Sequence, residues 1–358
     1  MKKFLFVFLM CLVFGGVGFY FGKSKDPYRL DYNKIAVDAP VPLVKDFDND
    51  EIVTGEKYLA KDLEAELEKF GFEVESFSWE DTYSNRNFGE GIEIVMRAWP
   101  ELRLPIYHDF VDSDRIMVLY ETVPYKIWEV KNADLVFTGS KTRNEMFNEN
   151  GIKSYFVPQF TRADKFYPAY NEKYKSRLLF VGNKWPDKPN RKTVLYALRN
   201  GFDIDIYGNG WDEVLTDEFL GHVKKKQLKN EDLKYYYSSA DIVFNDTRED
   251  MREKGFVSNR IFDVTACGGF LISDYVKEIE EIYGDSIPMY KNEEEFVELV
   301  NYYLANPQER KEKAKRAQKI TIENFEAKVV IGKMAEILRQ YVEDRKDLKK
   351  GIEGWLKK

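Results

Sequence analysis

The chain has 358 residues, enough for two domains that each bury a core. Its 62 acidic residues outnumber its 55 basic ones, and the resulting net charge of -7 supplies no concentrated basic field to hold nucleic acid. Two cysteines and two histidines leave room for neither a disulfide framework, a Cys/His zinc cluster nor a histidine-rich metal site.

In chain order, the first feature is the apolar run Phe4 to Gly22, flanked by Lys2-Lys3 and by Lys23 and Lys25. At about 1.5 Å per residue it is long enough to span a hydrocarbon core of about 30 Å. The rival is a cleaved signal segment, which would carry a shorter apolar region and a small-residue cleavage site; FYFGKSKD offers none, so residues 1–25 are expected to be an uncleaved anchor containing Cys11. Lysines on both flanks leave its orientation open.

A short polar linker, Asp26 to Arg29, precedes the first strand at Lys34 to Val37. The loop after it, Asp38-Ala39-Pro40-Val41-Pro42, is stiff and lacks the G-x-G-x-x-G that lets backbone approach a pyrophosphate, which removes the main support for a dinucleotide enzyme. Apolar residues at helical spacing (Leu59, Leu63, Leu67, Phe70) predict a helix over Thr54 to Phe70, closed by Gly71. Strands follow at Phe72 to Trp79, Ile92 to Met96, Ile116 to Tyr120, Leu135 to Thr138 and Tyr155 to Val157, in the β-α-β rhythm of a parallel sheet. Arg97, Glu121-Thr122, Ser140 and Gln159 stand just past these strands, where such sheets bind ligands, and are expected at a cleft; a cap or a solvated loop charge is the alternative for each.

The charged stretch from Phe166 to Lys175 is the expected domain boundary. A second sheet begins at Arg177 to Val181 and turns at Gly182-Asn183-Lys184. It continues at Asp203 to Tyr207 with a turn at Gly208-Asn209-Gly210, and a further strand is expected at Leu220 to Val223. The segment Ala240 to Asp274 then reads as strand, polar loop, helix, Gly268-Gly269 and strand, with polar groups gathered at the strands' carboxyl ends. Amphipathic helices follow over Glu293 to Leu304, from Pro307, and through Val329, Ile331, Met334, Leu338 and Tyr341; the lysine-rich tail after Asp344 is expected to be a solvated end.

Within that segment the order ADIVFN, GFVSNRIFD, ACGGFLISD resembles the donor-binding stretch of GT-B glycosyltransferases, and among them the spore-maturation-type group with a family-1-like C-terminal domain. The resemblance covers Lys34 to Leu338, more closely in the second half. It implies an α/β fold of two Rossmann-like domains facing each other across a cleft: residues 31–168 for the acceptor, residues 169–345 for the nucleotide sugar, with the last helix crossing back to brace the first domain. The better-known family form has glutamates at the positions held here by Gly255 and Asp263. The first, which contacts the transferred sugar in the family, is therefore missing.

The chemistry implied is diphosphate departure, in which backbone N–H groups, helix amino termini and cations stabilise the charge without a metal. The expected donor contacts are Gly182, Asn183, Lys184 and Arg191 around the first loop, Tyr207 and Gly208 after the next strand, and Asn245, Asp246 and Arg248 after the third. The helical unit adds Ser258 as N-cap, Asn259, Arg260, Asp263 toward ribose hydroxyls, and Gly268 and Gly269. Arg191 read plainly is a surface ion pair, and Asp263 a helix-face carboxylate. An inverting reaction needs a first-domain base, for which His108 and Glu121 are the candidates; a retaining one needs no dedicated base. The D-x-D triplets at Asp48, Asp112 and Asp203 are discounted as chance in an acidic chain, the third lying in an expected strand, so no metal and no cofactor is expected.

These readings converge on a membrane-tethered glycosyltransferase. It would move a sugar from a nucleotide donor to a glycan or lipid-linked acceptor, with its enzyme domain on the cytoplasmic side where bacterial nucleotide sugars are found. The alternative is a degenerate GT-B module that binds nucleotide or glycan without turnover.

Overall fold

Strands covered on both faces read as continuous apolar runs, and Ile116–Glu121, all six of whose residues are buried, is such a strand. The computed structural model describes residues 31–39, 55–78, 90–96, 115–131, 133–185, 191–225 and 228–356. The first sheet comprises β1 (Asp31–Ala39), β2 (Glu73–Ser78), β3 (Glu90–Met96), β4 (Ile116–Glu121), β5 (Leu135–Thr138) and β6 (Ser154–Phe156), in the spatial order β2-β1-β3-β4-β5-β6. The second comprises β7 (Ser176–Val181), β8 (Asp205–Tyr207), β9 (Val223–Lys225), β10 (Ala240–Asn245), β11 (Leu271–Asp274) and β12 (Met289–Tyr290), ordered β12-β11-β10-β7-β8-β9. The pairings are parallel in both sheets, for example Val118 with Leu135 and Val243 with Leu271. All strand carboxyl ends in each sheet therefore lie on one edge, and the order reverses at β7/β10, the place where such sheets open a crevice.

Side-chain alternation distributes the core to the two faces of each sheet. On the second sheet, Leu178 and Phe180 pack with Val194, Ala197 and Leu198 of α3 (Lys192–Arg199). Leu179 and Val243 face the other way, against Ile261, Phe262 and Val264 of α4 (Asn259–Ala266) and Ala317 of α5 (Pro307–Asn324). On the first sheet, Val95, Leu119 and Val136 meet Phe147 of α2 (Lys141–Glu149). Its opposite face is covered by α1 (Gly55–Lys69), through Leu59, Leu63 and Leu67, together with the last helix α6 (Ala327–Leu356), through Val330, Ile331, Met334 and Leu338.

The last helix thus belongs to the first domain's core although it follows the second domain in sequence. Its crossing point is fastened at Thr161, whose N–H donates to Phe325 O at 3.0 Å and whose carbonyl accepts from Ala327 N at 2.8 Å.

Several expectations need correction. Leu220 closes a helical turn, Asp217–Leu220, and the strand begins only at Val223. Asp203 precedes β8 and is largely exposed, so its triplet does not share a strand face with Asp205. The stretch Phe166 to Lys175 is docked on the second domain: Phe166 is buried in that core, and Ala169 N and Asn171 N donate to Ser238 Oγ and Ser239 Oγ. The tail after Asp344 does remain a solvated end, with Lys346, Asp347, Leu348 and Lys350 exposed, although it continues α6 and Arg345 pairs with Asp134 at 3.1 Å. Among the described residues no helix is long and apolar enough to cross a membrane. Phe4–Gly22 lies outside them, as do Cys11, Arg97, His108 and the triplets at Asp48 and Asp112.

Candidate active-site cleft

Two loops at the carboxyl ends of β7 and β8 are zipped together by their backbones. Gly182 N donates to Tyr207 O at 2.7 Å, Lys184 N to Asn209 O at 3.0 Å, and Asn209 N to the Asn183 side-chain oxygen at 2.8 Å. The approach is so close that a Cβ on Gly208 would lie 2.1 Å from the Gly182 carbonyl oxygen, and its φ of +148° is open to glycine without strain. Trp211 Nε1 donates to the same carbonyl at 3.0 Å and fixes the pair from beneath.

Two arginines converge above this floor. Arg191, just before α3, donates from Nε to Asn183 O at 3.0 Å and from Nη1 to Asp246 Oδ1 at 2.8 Å, with its guanidinium 4.4 Å from the Trp185 ring centroid. Arg260, in the first turn of α4, donates to Asn245 Oδ1 at 3.0 Å, and the Asn245 amide is in turn held by Ser273 Oγ at 3.0 Å. Both guanidiniums lie over Phe180, at 5.4 and 5.1 Å. A Cβ on Gly182 would come within 2.7 Å of Arg260 Nη2 and 3.4 Å of Arg191 Nη2, so the missing side chain is the space both cations use. Burial, with the neighbouring Arg260 cation acting in the same direction and Asp246 opposing it, brings the Arg191 pKa down to about 10. Two like charges held this close, at the amino terminus of α4, favour an anion between them.

Arg260 lines a cleft between the domains with a volume of about 320 Å³, and Arg191 borders it through its hydrogen bond to the Asn183 carbonyl. Gly182, Asn183, Tyr207 and Gly208 form one wall, and Ser258, Asn259, Arg260 and Asp263 another. Ser258 occupies the N-cap position, but its side chain caps nothing. Asp263 Oδ1 accepts from Thr161 Oγ1 at 2.7 Å and Oδ2 from Asn259 at 2.9 Å; burial pushes its pKa up to about 8 against these hydrogen bonds.

The first domain contributes Tyr58 and Asp62, which sequence reasoning missed. Asp62 is paired with Lys165 and with Arg162 at 3.5 Å, and burial still raises its pKa. The available signal was a carboxylate one turn from Leu59 on the same helix, inside the buried stripe. Leu228, Asn230 and Tyr237 also line the cleft and carried no motif.

Other expected residues lie elsewhere. Lys184 does not line the cleft and is bound to Glu213 at 2.5 Å. Asp246 and Arg248 face a separate cavity on the far side of Arg191. Gly268 and Gly269 close the opposite end of α4, where Gly269 N donates to Val264 O, and they serve that turn. Glu121 is fully buried and salt-bridged to Arg143; it also accepts from Thr138 Oγ1 at 2.5 Å and from Tyr125 N at 2.9 Å. Its lone pairs are committed inside the first domain, so Glu121 is a structural carboxylate and not a base at the cleft. Thr122, Ser140 and Gln159 are also absent from the cleft lining; Ser140 Oγ instead bridges the domains by donating to Lys254 O.

Residues 190–338 match a family model described as glycosyl transferase-like. The spore protein CgeB of Bacillus subtilis (strain 168) is 27% identical over 211 residues, which make up 55% of this chain and 65% of that protein. Among solved structures, sucrose-phosphate synthase from Thermosynechococcus elongatus superposes with a TM-score of 0.66 at 12% identity, over 87% of this chain and 99% of that one. The Anabaena protein HepE, in complex with UDP-glucose, superposes with a TM-score of 0.59 at 13% identity, over 86% and 99%. At such identities the likeness is one of fold.

Proposed function

We propose, starting from a chain of GT-B fold whose residues 190–338 match the glycosyl transferase-like model, that the protein transfers a sugar from a nucleotide-sugar donor to a glycan or lipid-linked acceptor without a metal. The observation that carries this reading is the convergence of Arg191 and Arg260 on Gly182 at the amino terminus of α4. A nucleotide diphosphate brings two negative charges and gains more as the sugar departs; preorganised guanidiniums and free N–H groups stabilise that charge without reorganising. The UDP-glucose bound by HepE supports a nucleotide-sugar donor here. In this reading Asp263 receives the ribose hydroxyls, and Asp62 takes the acceptor's proton if the reaction inverts, its raised pKa suiting a base. The run Phe4 to Gly22 would tether the enzyme, with both domains on the cytoplasmic side.

A nucleotide-binding module without turnover is the second reading, and one observation favours it. A Cβ at Gly255 would lie 2.4 Å from Glu278 Oε1 and 3.1 Å from Ser140 Oγ at a φ of +74°, so an acidic side chain where the family carries a sugar contact would be strained and would have to displace the Glu278 carboxylate.

The deciding experiment incubates the full chain with UDP-, GDP-, ADP- and CDP-sugars in EDTA and follows release of the nucleoside diphosphate alongside thermal shift. Release from at least one donor is expected. Stabilisation by a diphosphate with no release from any donor would favour the module, and activity restored only by Mn²⁺ would overturn metal independence.

A further inference from the structure

The cavity on the other side of Arg191 has a volume of about 420 Å³, within the range of small-ligand sites. It lies at the carboxyl ends of β10, β11 and β12, outside the nucleotide cleft. Arg191 is the partition: Nε holds Asn183 O on the cleft side and Nη1 holds Asp246 on this one.

The walls are aromatic, from Trp185, Tyr196, Tyr275 and Tyr290. Lys192, Arg248, Arg252 and Lys291 supply positive charge to the lining. Asp246, Glu249, Asp250 and Asp274 supply an equal number of carboxylates. A lining so balanced offers no net field to a phosphate or to a cationic peptide.

The polar groups are built in. Asp274 is buried, accepting from Thr247 Oγ1 at 3.1 Å and from Arg252 at 2.9 Å. Asp246 is 4% exposed, and its Oδ2 has no hydrogen-bond partner among the described residues. Lys291 sits 4.5 Å over the ring of Tyr275 and holds that wall in place. Fixed donors and acceptors among aromatic faces suit an uncharged, polyhydroxylated ring, whose hydroxyls pair with carboxylate and guanidinium groups while its C–H faces lie on the rings.

We infer that this cavity is a binding site for a neutral saccharide, separate from the nucleotide site. The inference stands on the cavity's own lining and does not require turnover in the cleft.

The test is ligand-observed saturation-transfer NMR on the full chain in a detergent without a sugar head group. The probes are glucose, galactose, mannose and N-acetylglucosamine, with glucose 6-phosphate and inorganic phosphate as charged comparators and UDP titrated on the same samples. At least one neutral sugar should bind saturably, and Tyr275→Ala should weaken it about tenfold or more while UDP affinity stays within about twofold. Asp274→Asn should weaken the sugar as well; Tyr275 is only half-buried, so its variant keeps the test valid if the Asp274 variant misfolds. Absence of binding by all four neutral sugars, tighter binding of the phosphorylated probes, or unchanged sugar affinity in Tyr275→Ala would each overturn the site. A chain that binds UDP but no sugar would leave the proposed function standing without this site. One that binds sugar but no nucleotide would do the reverse.

Discussion

Thr161 donates its hydroxyl hydrogen to Asp263 Oδ1 at 2.7 Å, joining the residue that fastens the last helix's crossing point to a carboxylate of the nucleotide cleft. The bond spans the two domains and lies at their crossover. Whatever changes the charge of Asp263 therefore acts on domain attachment and on the cleft together.

Burial raises Asp263 from an ordinary value of 3.8 to about 8. The folded state then holds a proton that the unfolded chain has released, so this contribution to stability is fully present below about pH 4 and lost as pH rises through about 8. The melting temperature should fall as pH rises from about 4 to about 8 and level off above that, and Asp263→Asn should flatten the fall. Scanning calorimetry across the range checks it; a D263N variant with the parent's slope would refute the assignment.

Gly182→Ala and Gly208→Ala should separate binding from folding. The first Cβ meets the flexible ends of Arg260 and Arg191, which can swing aside, so nucleotide affinity should drop about tenfold or more with little loss of stability. The second meets the Gly182 carbonyl at a strained φ, which should cost about 2 kcal/mol or more. Urea unfolding paired with nucleotide titration reads both.

Glu121 and Arg143 form a buried pair, and removing one partner strands the other. Arg143→Met should destabilise the chain by about 3–5 kcal/mol in chemical denaturation. A Glu121→Gln variant that folds like the parent yet abolishes transfer would return Glu121 to the base role.

The apolar run Phe4 to Gly22 should keep the full chain in the membrane fraction through carbonate extraction, whereas a chain beginning near Asp26 should stay in the supernatant. Fractionation with immunoblotting decides. Recovery of a product trimmed just after the run would contradict an anchor.

Much of this architecture was legible because the middles of buried parallel strands are apolar, as in residues 116–120 and 242–244, and because the loops after strands such as Ser176–Val181 and Asp205–Tyr207 carry glycine and asparagine. What a strand-end rule cannot supply is the direction in which a side chain turns. Glu121 stands at the right end of its strand, yet it points inward to Arg143, a partner set by tertiary packing. Asp246 and Arg248 occupy the right loop but open onto the opposite side of Arg191. Asp62 escaped notice because the surface it faces is created only when the domains meet.

The central claim is that Arg191 and Arg260 form the diphosphate site, and titration calorimetry of the full chain with nucleoside diphosphates tests it most directly. A charge-assisted hydrogen bond is worth about 1.5–3 kcal/mol, so Arg191→Ala and Arg260→Ala should each weaken the preferred diphosphate by about 10- to 150-fold, with circular dichroism unchanged. Parental affinity in both variants would contradict the account and leave the GT-B assignment as a statement about fold alone.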